Sequence, residues 1–221
     1  GATTFCSKNH LWSVHTPVQK YRGEADKILT LSQIMNDLQE KSGNNKWFIP
    51  MVHPIMFPKQ SLPISPWLLG VLLGDGSIVQ CVTFTSADKD IVDRVAKEIP
   101  SNLKVRKYTD KYSYGISRKV IAQKTTNDIL ESLKGLGLLG LTAKYKHVPK
   151  IYKISSIEDR LELLRGLCDT DAYVEPGTCN VEFSSVSHQL ALDVKELVES
   201  LGGTAAFRAK RISGEIIAYR V

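Results

Sequence analysis

Asp75 and Asp171 are the residues of this sequence best placed to do chemistry. Each closes a copy of one short pattern. The first is Leu68-Leu69-Gly70-Val71-Leu72-Leu73-Gly74-Asp75-Gly76 and the second Leu164-Arg165-Gly166-Leu167-Cys168-Asp169-Thr170-Asp171-Ala172. Both read as apolar helices with small residues four apart, Gly70 and Gly74 in one, Gly166 and Thr170 in the other. Residues at that spacing share a helix face, so a second helix can approach backbone to backbone. The aspartate falls at the C-terminal end of each helix, where the macrodipole is already negative. Two helices packed through their small faces bring Asp75 and Asp171 together. Two carboxylates at two negative helix ends repel unless a cation joins them. Mg²⁺, held by one or two carboxylates with water and phosphate oxygens completing its shell, suits such a site.

The elements that must position these aspartates also come in two rounds. In the first, the motif helix ends at Gly76 and a hairpin spans residues 77–85. Asp88 then caps a helix bearing Ile91, Val92, Val95 and Ile99. Strands follow at about residues 103–108 and 112–117, then a helix near 126–134. In the second round a helix over 158–170 leads to a hairpin turning at Glu175-Pro176-Gly177-Thr178. Ser187 caps a helix carrying Leu190, Val194, Leu197 and Val198, and a hairpin around Ser213-Gly214-Glu215 closes the chain. The aspartates are 96 positions apart (171 − 75) and the caps 99 (187 − 88), the longer second hairpin taking up the difference. An internal duplication about a pseudo-two-fold axis explains the pattern. The sequence before it differs in character. Residues 5–16 and 47–52 read as strands, and Thr30 with Gln33 forms a capping box ahead of Leu31, Ile34 and Leu38. Pro54, Pro58, Pro63 and Pro66 punctuate an extended connector.

The chain has 221 residues, 43% hydrophobic, enough for one large domain or two small ones. No apolar run reaches membrane-spanning length and no signal peptide is present, so no membrane partner is expected. Cys6, Cys81, Cys168 and Cys179 show no paired spacing; Cys168, inside an apolar helix, reads as a buried thiol, and a reducing, cytoplasmic setting is expected. A net charge of +6 favours a polyanionic partner. The strands alternate in character: Gln80, Thr83, Thr85, Lys104, Arg106 and Tyr108, with Tyr114 and Arg118 nearby, in the first half; Asn180, Glu182, Ser184, Arg208, Lys210 and Arg220 in the second. A half-buried sheet has one wet face in any case. Two such faces side by side make a basic concave surface able to track a duplex, with Lys and Arg on phosphates and polar side chains on base edges.

Over residues 62–221 the doubled motif resembles the two-motif, single-chain LAGLIDADG homing endonucleases. The resemblance implies an α+β fold of duplicated αββαββα halves, with the motif helices at the interface and antiparallel β-saddles on the DNA. Expected boundaries are 1–62 for the preceding, mainly-β segment, 63–150 for the first half and 151–221 for the second. It further implies a monomer that cleaves both strands of a long double-stranded DNA site. Mg²⁺ would be the cofactor, with Mn²⁺ or Ca²⁺ able to substitute in binding. Asp75 and Asp171 would be metal ligands and catalytic, and Gly74 and Thr170 would also contribute to holding the metal. Lys146-His147-Val148-Pro149 is similar to the Lys-x-Ile-Pro segment of intein-borne members, which makes Lys146 a candidate for stabilising the cleaved phosphate or placing the attacking water. Ser7-Lys8-Asn9-His10 is similar to the Thr-x-x-His segment of intein splicing domains, where the histidine assists an acyl shift. A cleavage-deficient DNA-binding relative and an RNA-splicing maturase on the same fold are the alternatives.

The sequence departs from that pattern in three places. Terminal splicing residues are missing from the chain as given, between Gly1 and Val221. The second half is expected to lack counterparts of the first half's later helix and of Lys146, and so to be incomplete. Ala172 stands where the motif usually closes with Gly; a left-handed conformation there would cost a non-glycine residue roughly 1 kcal/mol.

Overall fold

In the computed structural model, residues 4–120, 127–178 and 180–221 are described. The chain divides into two units, Gly1–Val52 and His53–Val221.

In the first unit, β1 (Leu11–Val14) pairs antiparallel with β2 (Lys27–Thr30). Two short helices accompany them, α1 (Pro17–Tyr21) and α2 (Leu31–Asn36). Both start in capping boxes, Thr16 with Gln19 and Thr30 with Gln33, each satisfying two otherwise orphaned N–H groups. The strand expected over residues 5–16 is shorter than the sequence suggests, because the His10 N–H bonds back to the Ser7 carbonyl in a turn. The strand expected over 47–52 reduces to one bridge, Phe48 with His15. Pro50 follows directly and has no N–H to extend the ladder.

The second unit contains the duplication. Its first round comprises α3 (Pro66–Gly74), β3 (Gly76–Ser77), β4 (Thr83–Thr85), α4 (Lys89–Glu98), β5 (Leu103–Lys107), β6 (Ser113–Arg118) and α5 (Asp128–Gly135). A 3₁₀ turn at Ala143–Tyr145 and α6 (Lys150–Lys153) lead to the second round. That round is α7 (Ile157–Asp171), β7 (Ala172–Val174), β8 (Val181–Ser185), α8 (His188–Ser200), β9 (Arg208–Ile212) and β10 (Glu215–Arg220). The sheets run β3-β4-β6-β5 and β7-β8-β10-β9, the same order at equivalent positions, with the described pairings antiparallel. Asp88 and Ser187 cap α4 and α8 as the sequence predicts. Gly177 and Gly214 take positive φ in the two tight turns of the second sheet, where glycine has no Cβ to clash.

α3 is apolar on every side, and Trp67 through Leu73 are all buried. A helix of that kind belongs at the centre of a domain. Its partner is α7, and the contact is as close as the small residues allow. A Cβ on Gly70 would lie 2.5 Å from the Leu163 carbonyl oxygen, and one on Gly166 would lie 2.1 Å from that of Trp67. Trp67 Nε1 donates to Asp169 Oδ2 at 2.7 Å, and the Arg94 guanidinium stacks on the Trp67 ring at 4.0 Å. The connector before α3 is strapped down by Arg160, a buried cation. It donates to the carbonyls of Ser155, Ser200 and Ile55 and to Ser200 Oγ. Satisfying its donors in this way is what makes burial of that charge tolerable.

Candidate active site and nucleic-acid face

The crossing of α3 and α7 sets the geometry of the site. α3 ends at Gly74 with Asp75 as C-cap, and α7 runs through Asp171. The two ends interlock: a Cβ on Gly74 would sit 1.9 Å from Thr170 Oγ1 and 3.2 Å from Asp171 Oδ2. Only glycine fits at 74, and the Asp171 carboxylate consequently lies against the end of the opposite helix. Thr170 spends its hydroxyl on its own helix, donating to the carbonyls of Leu167 at 2.9 Å and Gly166 at 3.3 Å. Ala172 corrects one expectation. It is extended, at φ −109 and ψ 152, so no left-handed strain arises. Gly76 is likewise not left-handed; it is required because a Cβ there would lie 2.4 Å from the Leu72 carbonyl oxygen.

Lys146 is 3% exposed, whereas Lys144 and Lys150 on either side of it are exposed. Its ammonium donates to the carbonyls of Leu72 (3.1 Å), Leu73 (2.9 Å), Gly74 (3.0 Å) and Gly76 (2.6 Å). The first three are carbonyls that a helix C-terminus leaves without intrahelical partners, and the fourth belongs to the first residue of β3. Three ammonium protons serve four acceptors, so the immediate job of Lys146 is to cap α3 with positive charge, which complements the dipole.

Electrostatics follow from this burial. Desolvation raises the Asp75 carboxyl above its ordinary range, with Lys146 opposing. Asp171 is pushed up to about 6 by burial and by the Asp75 charge, again opposed by Lys146. Burial lowers Lys146 to about 8 against the pull of both aspartates. The site therefore holds two carboxylates, that of exposed Asp75 and that of half-buried Asp171, beside one buried ammonium, and accommodates further positive charge. The carbonyls at the end of α3 are taken by Lys146, which leaves the two carboxylates, hard oxygen donors that suit a hard divalent cation. Among the described residues no cluster of three or more His, Cys, Asp or Glu has metal-binding geometry.

Strand register sorts the candidate nucleic-acid residues. Lys104 pairs with Ser117 and Arg106 with Gly115, which pairs in turn with Thr83; Thr85 pairs with Ser113. Lys104, Arg106, Tyr108, Thr83 and Thr85 therefore share the solvent face, and Gln80 is exposed in the preceding loop. Gly115 makes room for Tyr108, whose hydroxyl would meet a Cβ there at 2.6 Å. Tyr114 and Arg118 lie on the other face. Tyr114 pairs with Phe84, stacks on its ring at 5.4 Å and packs against the core, while Arg118 pairs with Leu103. In the second sheet Glu182, Ser184, Arg208, Lys210 and Arg220 share one face, where Arg220 pairs with Glu182 at 3.1 Å. Asn180 is tied into the turn through Glu175 and Thr178. Tyr173, opposite Glu182 and 62% exposed, shares that face and was missed by the sequence reading, although its position two residues after Asp171 on an alternating strand marks it.

In the first unit His10 is exposed and packs edge-on against Trp12. The buried histidine there is His15, whose Nδ1 lies 3.1 Å from Asp26 Oδ1. Cys168 is partly buried, and burial raises its thiol; Cys179 lies outside the described residues.

Residues 158–221 match the family model described as a LAGLIDADG-like domain. Over 157 residues, 71% of its length, the chain is 32% identical to the replicative DNA helicase DnaB of Mycobacterium intracellulare, covering 22% of that protein. It is 30% identical over 155 residues to the replicative DNA helicase DnaB of Rhodothermus marinus, covering 64% of this chain and 16% of that one. The chain thus spans about a fifth of the length of these relatives. Among solved structures, a crystal structure of I-DmoI in complex with DNA and Mn aligns with a TM-score of 0.49 and 13% identity, over 72% of this chain and 87% of that one.

Proposed function

We propose that this chain is a site-specific endonuclease of double-stranded DNA, of the homing type, carried as an intein-derived element within a longer polypeptide. One observation carries the reading: α3 and α7 interlock at their C-terminal ends and converge two carboxylates with a buried lysine on the pseudo-two-fold axis. The match of residues 158–221 to the LAGLIDADG-like family supports it. The similarity to a stretch of each of two replicative helicases is what an element inserted in such a polypeptide would give.

Asp75 and Asp171 would hold Mg²⁺. When bound, the ion would lower the pKa of a water and offset charge building on the scissile phosphate. The chain's own residues do the rest. Lys146 fixes the end of α3, and with it the place of Asp75, and its charge adds to the field at the phosphate. Lys104, Arg106, Arg208 and Lys210 take backbone phosphates, while Thr83, Thr85, Glu182, Ser184 and Tyr173 reach base edges. One chain supplies both half-sites through its internal symmetry.

Selection on a randomised duplex library tests this reading. In Mg²⁺ the protein should release ends sharing one long site, cut on both strands. Enrichment by binding in Ca²⁺ with no cut ends in Mg²⁺ or Mn²⁺ would identify a binding protein that has lost cleavage. No enrichment of duplex at all would overturn the reading.

A further inference from the structure

The segment that carries Lys146 is held from the other half of the molecule. Ser187, fully buried at the start of α8, accepts the Leu190 N–H at 3.1 Å and donates its hydroxyl to the Lys146 carbonyl at 2.6 Å. One and a half turns along, Asp193 is 1% exposed. Its Oδ2 accepts the Val148 N–H at 2.7 Å, and its Oδ1 accepts from Lys153 Nζ at 2.9 Å and Gln189 Nε2 at 3.0 Å. The backbone just after the Lys146 side chain, its own carbonyl and the Val148 N–H, is therefore bonded to two buried groups of α8, while Nζ reaches α3.

The duplication shows that these contacts are not part of the repeat. At the position equivalent to Ser187, Asp88 is exposed, and its carboxylate accepts the Asp90 N–H of its own cap. At the position equivalent to Asp193 (193 − 99), Arg94 stacks on Trp67 and pairs with Glu98 and Glu162. An apolar side chain at 193 would pack α8 without burying a carboxylate, which is unfavourable unless its oxygens are satisfied. Its partners are the lysine-bearing segment, α6 and its own helix, so that segment accounts for its burial.

We propose that Ser187 and Asp193 are positioning residues of the cleavage site, acting through Lys146, so that the second half sets the lysine that serves the end of α3. This rests on the endonuclease reading for its catalytic consequence but not for its structural one, and the experiment separates the two. The variants are Asp193→Ala, Asp193→Asn, Ser187→Ala and Ser187→Thr, with Lys153→Met as a control that removes the cation Asp193 shares with Glu196 and leaves the Val148 bond in place.

In the absence of DNA, acylation of lysines by a water-soluble amine reagent, read by peptide mass spectrometry, reports the burial of Lys146. Asp193→Ala and Ser187→Ala should raise its labelling about tenfold relative to the other lysines, as local opening predicts. Ser187→Thr should stay at the parent level. On the selected duplex the two alanine variants should cut about 10–100-fold more slowly, at a KM within about threefold of the parent. Asp193→Asn, which keeps an acceptor for Val148, should fall between, and Lys153→Met should lower stability but leave Lys146 labelling and kcat within about threefold of the parent, because the Val148 bond remains. If Asp193→Ala does not fold, Ser187→Ala and Asp193→Asn decide the matter. A folded variant with Lys146 still protected and kcat unchanged overturns the proposal. A parent that does not cut duplex overturns the endonuclease reading, and the labelling then decides the positioning alone.

Discussion

The two halves of the duplicated unit share strand order but not closure. In the first, Ile78 and Val82 are 0% and 1% exposed; at the equivalent positions of the second, Val174 and Val181 are 61% and 54% exposed. The difference is α5 and the segment after it. Ile129, Leu133 and Leu138 join the cluster that holds Ile78, Val82 and Phe84, and the Gly140 N–H bonds to the Ile78 carbonyl. In the second half the corresponding face is a groove of about 1000 Å³ lined by Leu164, Cys168, Val181, Phe183, Val194, Val198 and Val221. A helix-and-hairpin repeat thus does not bury its own apolar face; it needs a further element laid over it. The functional side chains are unequal in the same way. Lys146 caps α3 alone, so the end of α3 is tied down by a cation while the end of α7 depends on its fit against Gly74.

Changes at the helix crossing should have the largest effect, because both halves depend on it. Gly166→Ala and Gly70→Ala push a methyl into backbone atoms at 2.1 Å and 2.5 Å. A helix backbone cannot yield as a side-chain tip does, so each should destabilise by about 2–4 kcal/mol, Gly166→Ala more, in urea unfolding. Equal stability of parent and variants would mean that the helices do not approach this closely.

The closure difference predicts an unequal pair of substitutions. Val82→Thr buries a hydroxyl and should cost about 1–2 kcal/mol, whereas Val181→Thr should lie within about 0.5 kcal/mol of the parent. Equal costs would show that the second face is covered in solution.

Asp171 gives a pH test of its half. Its folded-state pKa of about 6 lies above the ordinary 3.8, so burial favours the protonated form. The associated stability is fully present below about pH 4 and lost as pH rises through about 6. Asp171→Asn cannot ionise. In EDTA it should therefore gain on the parent across that window and level off above it, by about 1–3 kcal/mol, given 1.36 kcal/mol per pKa unit. A flat difference across the window would contradict the buried carboxylate. The smallest effects belong to the solvent faces: Arg106→Ala and Lys210→Ala should each lower the salt slope of duplex binding by about 1.

Much of this was legible because it is local. Capping residues, the hairpin turn at Gly177 and the small-residue spacing of Gly70 and Gly166 are written within a few positions of where they act. What escaped the sequence was set by partners far along the chain. Lys146 reaches carbonyls more than 70 positions away, and Arg160 reaches Ile55 across 105; nothing in a basic stretch marks one lysine for burial. Tyr114 was assigned to the solvent face because alternation within one strand fixes only which residues share a face; pairing with Phe84 decides which face is wet. The penalty assigned to Ala172 assumed a left-handed exit, but β7 begins at that residue and draws it into extended backbone.

The central claim is that the ends of α3 and α7 form one cation-assisted cleavage site. Cleavage of the selected duplex in Mg²⁺ by Asp75→Asn and Asp171→Asn, with affinity measured alongside in Ca²⁺, tests it most directly. Each variant should cut at least about 10³-fold more slowly than the parent while binding within about threefold, because one carboxylate cannot replace two in holding the ion that activates water. Either variant cutting within about tenfold of the parent, at the same affinity, would contradict it.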